Sequence, residues 1–279
     1  MNPIEKVEKN QYIRLIAVIA VVLGAFITIV TFFGNIQEYL YDNVFTSKNI
    51  SDKMNSLSAG QSINFFKQEL GAEKLQRTVS EKYTEYIFQY KSSFIQALVN
   101  KENNEVIYWA ITYCGSNPVV IIRKVFSTAQ LYTGEKDFFG RERYDYVFGK
   151  NIRLNESSFI DIFQNEKGDF KYFVSGATAN SFAYESLYVG NPGAYQTLII
   201  GVNDICSSIE DLYKYLSVMN NSSQEQIQEF RRVGRVNTYG ETAPFAGDEV
   251  LQLLNSQHSI GDPYITFGVD RIKVRYFND

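Results

Sequence analysis

An apolar run near the N-terminus constrains this chain more than any other feature of its sequence. Residues 15–33 read LIAVIAVVLGAFITIVTFF, and no charged residue stands between Arg14 and Glu38. At a rise of about 1.5 Å per residue, the run forms a helix of about 28 Å, which matches the roughly 30 Å hydrocarbon core of a bilayer. The sequence therefore predicts one transmembrane helix at residues 13–34, preceded by a short polar tail at residues 1–12.

Three other interpretations of the run fit less well. A cleaved signal peptide has a shorter apolar region of about 7–15 residues and ends at small residues, whereas this run ends at Thr31, Phe32 and Phe33. A lipoprotein needs a cysteine directly after the run, and the first cysteine is Cys114. A buried core helix of this length rarely lacks both charges and amides. We therefore expect the run to remain in the membrane as an anchor.

The basic residues beside the run indicate its orientation. Lys6, Lys9 and Arg14 precede it, and Lys48 and Lys53 are the nearest basic residues after it. Because basic residues close to a transmembrane helix favour the cytoplasmic side, the count of three against two favours a cytoplasmic N-terminus. The soluble part is then expected outside the cytoplasm, attached to a bacterial inner membrane by the helix. The opposite orientation stays open.

Small residues recur along one face of the predicted transmembrane helix. They are Ala20, Gly24 and Thr28, which are spaced four residues apart. This spacing lets two membrane helices approach closely, which predicts a contact within a homo-oligomer. Because the same spacing is common in transmembrane helices without such a contact, ordinary composition stays open as the alternative.

The chain after the run predicts a linker and then a folded domain. Residues 35–58 predict a juxtamembrane helix up to Phe45, followed by a linker without usable periodicity. Residues 59–279 predict a soluble α+β domain with antiparallel sheet and short helices. A division of this domain into two subunits, at about 59–125 and 126–279, stays open.

Residues 60–113 carry the first clear pattern of secondary structure. Ser62 is a suitable N-cap for a short helix, and Gly71 is a suitable stop. The apolar face of that helix consists of Ile63, Phe66 and Leu70. Three aromatic or apolar stretches then predict antiparallel strands at residues 83–90, 94–99 and 106–113, and Trp109 is expected in the core.

Part of this pattern resembles a known family. The residues that carry the resemblance are Gly60, Ser62, Leu70 and Gly71, followed by the strands up to Tyr113. Together they resemble the small domain of the outer-membrane-assembly lipoproteins. The resemblance covers about residues 57–113 and implies a local fold, one short helix followed by antiparallel strands, rather than a function.

The second half of the domain predicts a similar order of elements. Residues 155–163 predict a capped helix, and residues 170–174 predict a strand. Residues 182–189 and 195–202 predict a hairpin around an Asn-Pro-Gly turn. A helix followed by strands repeats the order of the first half, which is compatible with an internal duplication.

The C-terminal part predicts more helix and one further strand. Residues 206–219 show helical spacing, and Ser222 or Ser223 is a suitable cap for the next helix. Residues 264–277 alternate apolar and basic side chains, which is typical of a half-buried strand.

The sequence lacks the common catalytic motifs. It contains no glycine-rich phosphate loop, no G-x-S-x-G and no H-E-x-x-H. Its one histidine, His258, lies in a polar loop without a recognisable nucleophile, and we interpret it as solvated. We therefore assign no catalytic residue, no metal ligand and no cofactor. The net charge of −4 also disfavours nucleic acid as a partner.

Two groups of residues are candidate sites. Cys114 and Cys206 are the only cysteines, and they predict either a disulfide bond in an oxidising compartment or two buried thiols. Arg231, Arg232 and Arg235 predict either a phosphate or carboxylate site or the exposed face of a helix.

Aromatic residues and carboxylates suggest two further possibilities. The 20 tyrosines and 21 phenylalanines suit a sheet core, and an exposed share of them predicts a binding surface within Phe138–Gly149 or Tyr184–Tyr195. A catalytic pair among the acidic residues stays open, since such pairs meet in space rather than in sequence. The acidic residues considered are Glu135, Asp137, Glu142, Asp145, Glu185 and Asp204.

These observations predict a single-pass membrane-anchored binding or interaction protein. Its expected partners are the lipid bilayer and either another protein or a second copy of the chain. A membrane-anchored hydrolase with paired carboxylates is one alternative. A ligand-responsive membrane effector or sensor, for example in defence against phage, is the other.

Overall fold

The structure is a computed structural model. It describes Thr28, Thr31 and residues 46–115, 120–136, 142–163, 169–173, 182–189, 196–206, 224–255, 264–275 and 277. The chain divides into two compact units, Met1–Ser47 and Lys48–Asp279. Of the apolar run at 15–33, the described residues are Thr28 and Thr31, and both are helical. Within the described residues, no helix is both long enough and apolar enough to cross a bilayer.

The described part of the chain from Thr46 onward contains six helices and ten strands. The helices are α1 (Thr46–Ser56), α2 (Ile63–Leu70), α3 (Phe159–Phe163), α4 (Gln224–Val233), α5 (Gly247–Asn255) and α6 (Arg271–Arg275). The strands are β1 (Leu75–Thr78), β2 (Tyr83–Tyr90), β3 (Ser93–Asn100), β4 (Glu105–Tyr113), β5 (Ile121–Lys136), β6 (Glu142–Arg153), β7 (Asp169–Phe173), β8 (Phe182–Val189), β9 (Gln196–Asn203) and β10 (Thr238–Thr242).

Eight of these strands form one antiparallel sheet. Their order is β1-β2-β3-β4-β10-β9-β8-β7, and β5 and β6 pair as a separate two-stranded ribbon. The two halves of the large sheet meet where β4 pairs with β10, with Ala110 opposite Gly240. The predicted α+β class, with antiparallel sheet and short helices, is confirmed.

The two halves of the sheet repeat one order of elements. In the first half, α2 precedes β1, β2, β3 and β4. In the second half, α3 precedes β7, β8 and β9, and β10 completes the half after α4. The topology therefore contains the repeated helix-and-strand order that the sequence indicated.

Neighbouring residues of a strand point to opposite faces of the sheet, and each face is buried in its own hydrophobic cluster. On one side, Trp109 packs against Phe66 of α2, with ring centroids 6.2 Å apart. On the other side, Tyr184 packs against Phe267 of the C-terminal segment, with ring centroids 5.3 Å apart. The expectation that Trp109 is a core residue is confirmed, since its side chain is fully buried.

Helix α2 has the predicted bounds for local chemical reasons. The Ser62 hydroxyl accepts a hydrogen bond from the backbone N–H of Phe65 at 3.3 Å, which caps the helix. Gly71 follows the last turn with φ of 88°, a conformation that favours glycine. The buried residues of the helix are the predicted Ile63, Phe66 and Leu70.

Helix α1 corrects the prediction of a linker after residue 45. Ile50 and Met54 lie one turn apart and are fully buried, and Leu57 continues their face beyond the helix end. These are the only apolar residues between residues 46 and 57, too few for periodicity to reveal the helix. Burial of this narrow face against the domain therefore stabilises a segment whose own helix propensity is low.

Asn55 of α1 binds the edge of β5 as a neighbouring strand would. Its Oδ1 accepts a hydrogen bond from the N–H of Arg123 at 2.6 Å, and its Nδ2 donates to the carbonyl of Ile121 at 2.9 Å. The Ser51 hydroxyl accepts from the N–H of Ile121 at 3.0 Å. In the part of the chain that the structure describes, no strand pairs with β5 on this side, and these bonds satisfy its backbone groups there.

The C-terminal segment corrects the prediction of a strand at residues 264–277. Helix α6 begins after Asp270, whose Oδ1 accepts a hydrogen bond from the N–H of Lys273 at 2.9 Å. The residues before it are held by Asn203, whose Nδ2 donates to the carbonyls of Phe267 at 2.9 Å and Val269 at 3.1 Å. Side-chain bonds to this segment thus replace the ladder of backbone bonds that a strand would need.

The remaining predictions have mixed outcomes. Helix α3 is shorter than the predicted 155–163 and is capped by Ser158, whose hydroxyl accepts from the N–H of Asp161 at 3.2 Å. The hairpin strands β8 and β9 are confirmed by their antiparallel pairing. Elements without a clear signal in the sequence include β10, α5 and the long ribbon. The predicted helix at 206–219 and His258 lie outside the described residues, apart from Cys206.

Candidate interaction surface

The three arginines of the predicted anion site bind different acceptors. Arg231 is buried, and its Nε and Nη2 donate to the two carboxylate oxygens of Glu185 at 2.7 and 2.9 Å. Arg232 pairs with Glu229 of its own helix at the surface. Arg235 donates to the backbone carbonyl of Glu156 at 3.0 Å. The guanidinium groups are thus engaged separately in the fold.

The two cysteines lie beside each other in the folded domain. Cys114 follows β4 and Cys206 follows β9, their Cα atoms are 5.0 Å apart, and their sulfurs are bonded. The bond joins the two halves of the sheet near their shared boundary. Of the predicted membrane-helix contact, Thr28 is described and helical, whereas Ala20 and Gly24 lie outside the described residues.

Glu85 is a fully buried carboxylate on the side of the sheet covered by α6. Lys273 Nζ donates to it at 2.9 Å, and Arg77 and Gln96 donate to it as well. Burial by itself raises the pKa of Glu85, but the charges of Lys273 and Arg77 outweigh this effect and hold the pKa below its ordinary value. Glu85 therefore anchors the C-terminal helix to the sheet as an ionised group.

Glu241 is a buried carboxylate on the opposite side of the sheet. Trp109 Nε1 donates to it at 2.9 Å, the backbone N–H of Ala59 donates at 3.2 Å, and the Tyr239 hydroxyl donates to its other oxygen. Like Glu85 and the Arg231-bound Glu185, this carboxylate lies inside a set of protein donors. All three buried glutamates therefore have structural partners.

A shallow cavity of about 270 Å³ lies between α1, α2 and the end of β2. Its lining residues are Asn49, Asp52, Lys53, Ser56, Glu69 and Tyr90. Two carboxylates face it, but Lys53 Nζ lies 2.6 Å from Glu69, and Asp52 is exposed to solvent. One carboxylate of the cavity is therefore ion-paired and the other faces solvent, and the two do not form a buried pair.

Phe245 is the most unusual surface residue of the described chain. It follows Pro244 in a tight turn closed by a hydrogen bond from the N–H of Ala246 to the carbonyl of Ala243 at 3.1 Å. Its φ is 65°, in the left-handed region, where glycine or asparagine is usual. Its side chain is nevertheless 71% exposed.

Tyr188 lies beside this turn and is 52% exposed. Its hydroxyl donates to Asp248 in the first turn of α5. This hydrogen bond, together with partial burial, raises the pKa of Tyr188 to about 12. We call Tyr188, Phe245 and Asp248 the aromatic corner.

The backbone of the aromatic corner is held in place by close packing. A Cβ atom at Gly247 would lie 2.2 Å from the Thr197 hydroxyl and 3.4 Å from the Tyr188 ring, so only glycine fits there. Gly247 therefore lets the chain pass close to β9 at the first residue of α5. Within the described residues, Tyr188 and Phe245 are the large hydrophobic residues with exposed side chains.

The sequence indicated part of this surface. Tyr188 lies in the stretch Tyr184–Tyr195, which was proposed for exposed aromatic residues, although Tyr184 itself is buried. For the other stretch, Phe138–Gly149, the side chains lie outside the described residues. Phe245 was missed, and the signal that points to it is a phenylalanine directly after proline in a turn between β10 and α5.

Comparisons with known proteins give a distant likeness. No protein-family model matches the chain, and no curated protein matches it. Among solved structures, the chain is similar to a cysteine-rich secretory protein from Staphylococcus aureus, with 11% identity and a TM-score of 0.31. The match covers 74% of this chain and 48% of that one, so it spans about half the length of the solved protein. A TM-score this low carries no argument about fold or function.

Proposed function

We propose that the protein is a membrane-anchored binding protein whose folded domain lies outside the cytoplasm of a bacterial cell. The anchor is the apolar run at residues 15–33, whose length and lack of charge suit the bilayer core. The contact surface of the domain is the aromatic corner. The local resemblance of residues 57–113 to the small domain of outer-membrane-assembly lipoproteins extends, in this proposal, to the local fold alone.

The disulfide bond supports the location of the domain. Cys114 and Cys206 are separated by 92 residues in the chain. In the loop-entropy description, a bond across a loop of this length stabilises a domain by about 4–5 kcal/mol. Disulfides persist in oxidising compartments and are rare in the cytosol. The excess of basic residues before the apolar run favours the same orientation.

The proposed binding function rests mainly on one observation, the exposed side chain of Phe245 on a left-handed backbone. A bulky side chain in the left-handed region costs about 1–2 kcal/mol, and an exposed phenylalanine ring also forgoes the stabilisation that burial would give. Among the described residues, no ring stacking or cation contact accounts for an aromatic side chain at this turn. Aromatic side chains that are rigidly displayed at a surface are typical of the residues that dominate protein interfaces.

The buried acids support binding over hydrolysis. A hydrolase with paired carboxylates requires one acid in surroundings that raise its pKa. At Glu85 burial raises the pKa, but the positive charges of Lys273 and Arg77 outweigh burial and hold the pKa below its ordinary value. Glu185 and Glu241 lie among their own donors in the core.

Site-specific photo-crosslinking in living cells tests the binding function. A benzophenone amino acid is placed at position 245 in the full chain and, as a matched control, at Gln252, which is exposed on α5. The proposal expects a discrete adduct of higher mass from position 245 and none from position 252. Equal adduct formation at both positions, or none at position 245, contradicts the use of the aromatic corner as a contact surface.

A further inference from the structure

We infer that the aromatic corner binds a protein segment that presents an arginine or lysine next to an apolar side chain. This inference rests on the proposed function and names the chemistry of its partner. The apolar side chain would cover the Phe245 ring. The basic group would lie over the face of the Tyr188 ring and next to the Asp248 carboxylate, which the Tyr188 hydroxyl already contacts.

The charge at the aromatic corner carries this inference. Asp248 is exposed and accepts a hydrogen bond from Tyr188, so a carboxylate stands at the rim of an exposed tyrosine ring. Glu249 follows it on α5 and pairs at 2.9 Å with Lys82. A guanidinium or ammonium group is attracted both to a carboxylate and to the face of an aromatic ring. The Asp248 carboxylate and the Tyr188 ring therefore attract the same cation. The exposed Phe245 ring favours an apolar side chain next to that cation.

The same charge argues against two other occupants. A bilayer surface that carries anionic lipids repels a carboxylate at the tip of an inserting loop, so Asp248 disfavours lipid as the occupant of the aromatic corner. A symmetric contact between two copies would bring Asp248 of each copy toward the other aromatic corner and add like charges. A basic protein segment meets neither obstacle.

The rigidity of the turn adds to the inference. Pro244 fixes its own φ, the hydrogen bond from Ala246 to Ala243 closes the turn, and Gly247 passes against Thr197. A backbone that is already held in position loses little conformational entropy when a partner binds. A short segment can therefore bind measurably without a large interface.

Short synthetic peptides provide the test. The full chain is reconstituted in phosphatidylcholine nanodiscs, and saturation-transfer NMR measures the affinity of a heptapeptide with a central Leu-Arg-Leu. Matched heptapeptides carry Leu-Glu-Leu or Ser-Arg-Ser, and empty nanodiscs give the background. The inference expects at least tenfold weaker binding of both matched peptides. Equal binding of the Leu-Glu-Leu peptide overturns the inference, and the crosslinking result at position 245 then decides the proposed function separately.

Variants of the full chain complete the test. Phe245→Gly, which the left-handed backbone accommodates, is expected to weaken binding of the Leu-Arg-Leu peptide at least tenfold. Asp248→Asn is expected to weaken it about twofold to fourfold, as suits an exposed ion pair. Asp52→Asn removes the same charge from a distant exposed position and is expected to change nothing. An equal effect of the two asparagine variants shows attraction to net charge alone and overturns the inference.

The crosslinked adducts formed at position 245 in cells show whether a second copy of the chain, a lipid or another protein occupies the aromatic corner. An adduct at twice the mass of the chain indicates a second copy, and an adduct that contains lipid indicates the bilayer. Either result overturns the inference while leaving the aromatic corner as a contact surface. An identified protein supports the inference only when its purified form binds the full chain and loses at least tenfold in affinity on Phe245→Gly.

Discussion

Arg231 of α4 holds Glu185 of β8 in a two-pronged ion pair in the domain core. The guanidinium nitrogens Nε and Nη2 lie 2.7 and 2.9 Å from the two carboxylate oxygens, and both side chains are at least nine-tenths buried. The pair ties α4 to the second half of the sheet. A residue that the sequence offered as a ligand contact is thus part of the framework.

Removing one partner of this pair is expected to leave a buried charge without its counter-charge. Arg231→Met should lower the free energy of unfolding by about 3–5 kcal/mol, because a lone buried carboxylate is strongly unfavourable. Adding Glu185→Leu to this variant should restore most of the loss. Urea unfolding of the full chain, followed by the fluorescence of the single Trp109, measures both variants. Equal stability of the single and the double variant would contradict the buried pair.

The left-handed backbone at Phe245 predicts that glycine at this position gives a more stable domain than alanine. Phe245→Gly and Phe245→Ala both remove the exposed ring, but only alanine keeps a Cβ in a strained conformation. The glycine variant should therefore be more stable than the alanine variant by about 1 kcal/mol. The difference is measured by urea unfolding. An alanine variant as stable as the glycine variant would show that the turn is not held at positive φ.

The strand-like contact of Asn55 predicts a local change in the ribbon. Asn55→Ala removes both hydrogen bonds to the edge of β5 and leaves the N–H of Arg123 and the carbonyl of Ile121 without them. Amide hydrogen exchange should become at least tenfold faster near residues 121–123, while β4 keeps its protection. Ser56→Ala, one residue along the same helix, serves as the control. Unchanged exchange in β5 would refute the contact.

Glu85 predicts a specific dependence of stability on pH. Because the pKa of Glu85 is lower in the folded chain than its ordinary value of 4.5, ionised Glu85 contributes stability above pH 4.5. That contribution disappears as the pH falls through the folded pKa. Glu85→Gln should therefore flatten the loss of stability below about pH 4.5, although it lowers stability at neutral pH. Parallel pH profiles for the variant and the unchanged chain would contradict this assignment.

The disulfide bond predicts a large effect of reduction. Replacing Cys114 and Cys206 together by serine should lower the free energy of unfolding by about 4–5 kcal/mol, because the bond closes a long loop. In cells, alkylation before and after reduction reports whether the thiols are protected. Two freely alkylated thiols in the untreated chain would mean that the domain does not mature in an oxidising compartment.

Local signals in the sequence predicted the local structure well. Ser62 and Gly71 marked both ends of α2, because a hydroxyl cap and a glycine stop act within one turn of the chain. The strands around Trp109 followed from runs of aromatic and branched residues. These features depend on neighbours in the sequence, so they can be read without the fold.

Features that depend on distant partners were missed. Helix α1 has two buried apolar residues, and Asn55 gains its role from a strand that begins 66 residues later in the chain. Arg231 has the appearance of a surface residue until Glu185 of another element lies beside it. Phe245 would ordinarily be assigned to the core, since its exposure follows from the turn and from the close packing of Gly247. Such roles arise only when the chain has folded.

A topology measurement tests the central claim most directly. Alkaline phosphatase, which is active only after export, and green fluorescent protein, which is fluorescent only in the cytoplasm, are fused separately after Asp279 of the full chain and expressed in bacteria. A membrane-anchored domain outside the cytoplasm predicts phosphatase activity in the membrane fraction and no fluorescence. Bright fluorescence without phosphatase activity, or a fusion recovered from the aqueous fraction without detergent, would contradict the account.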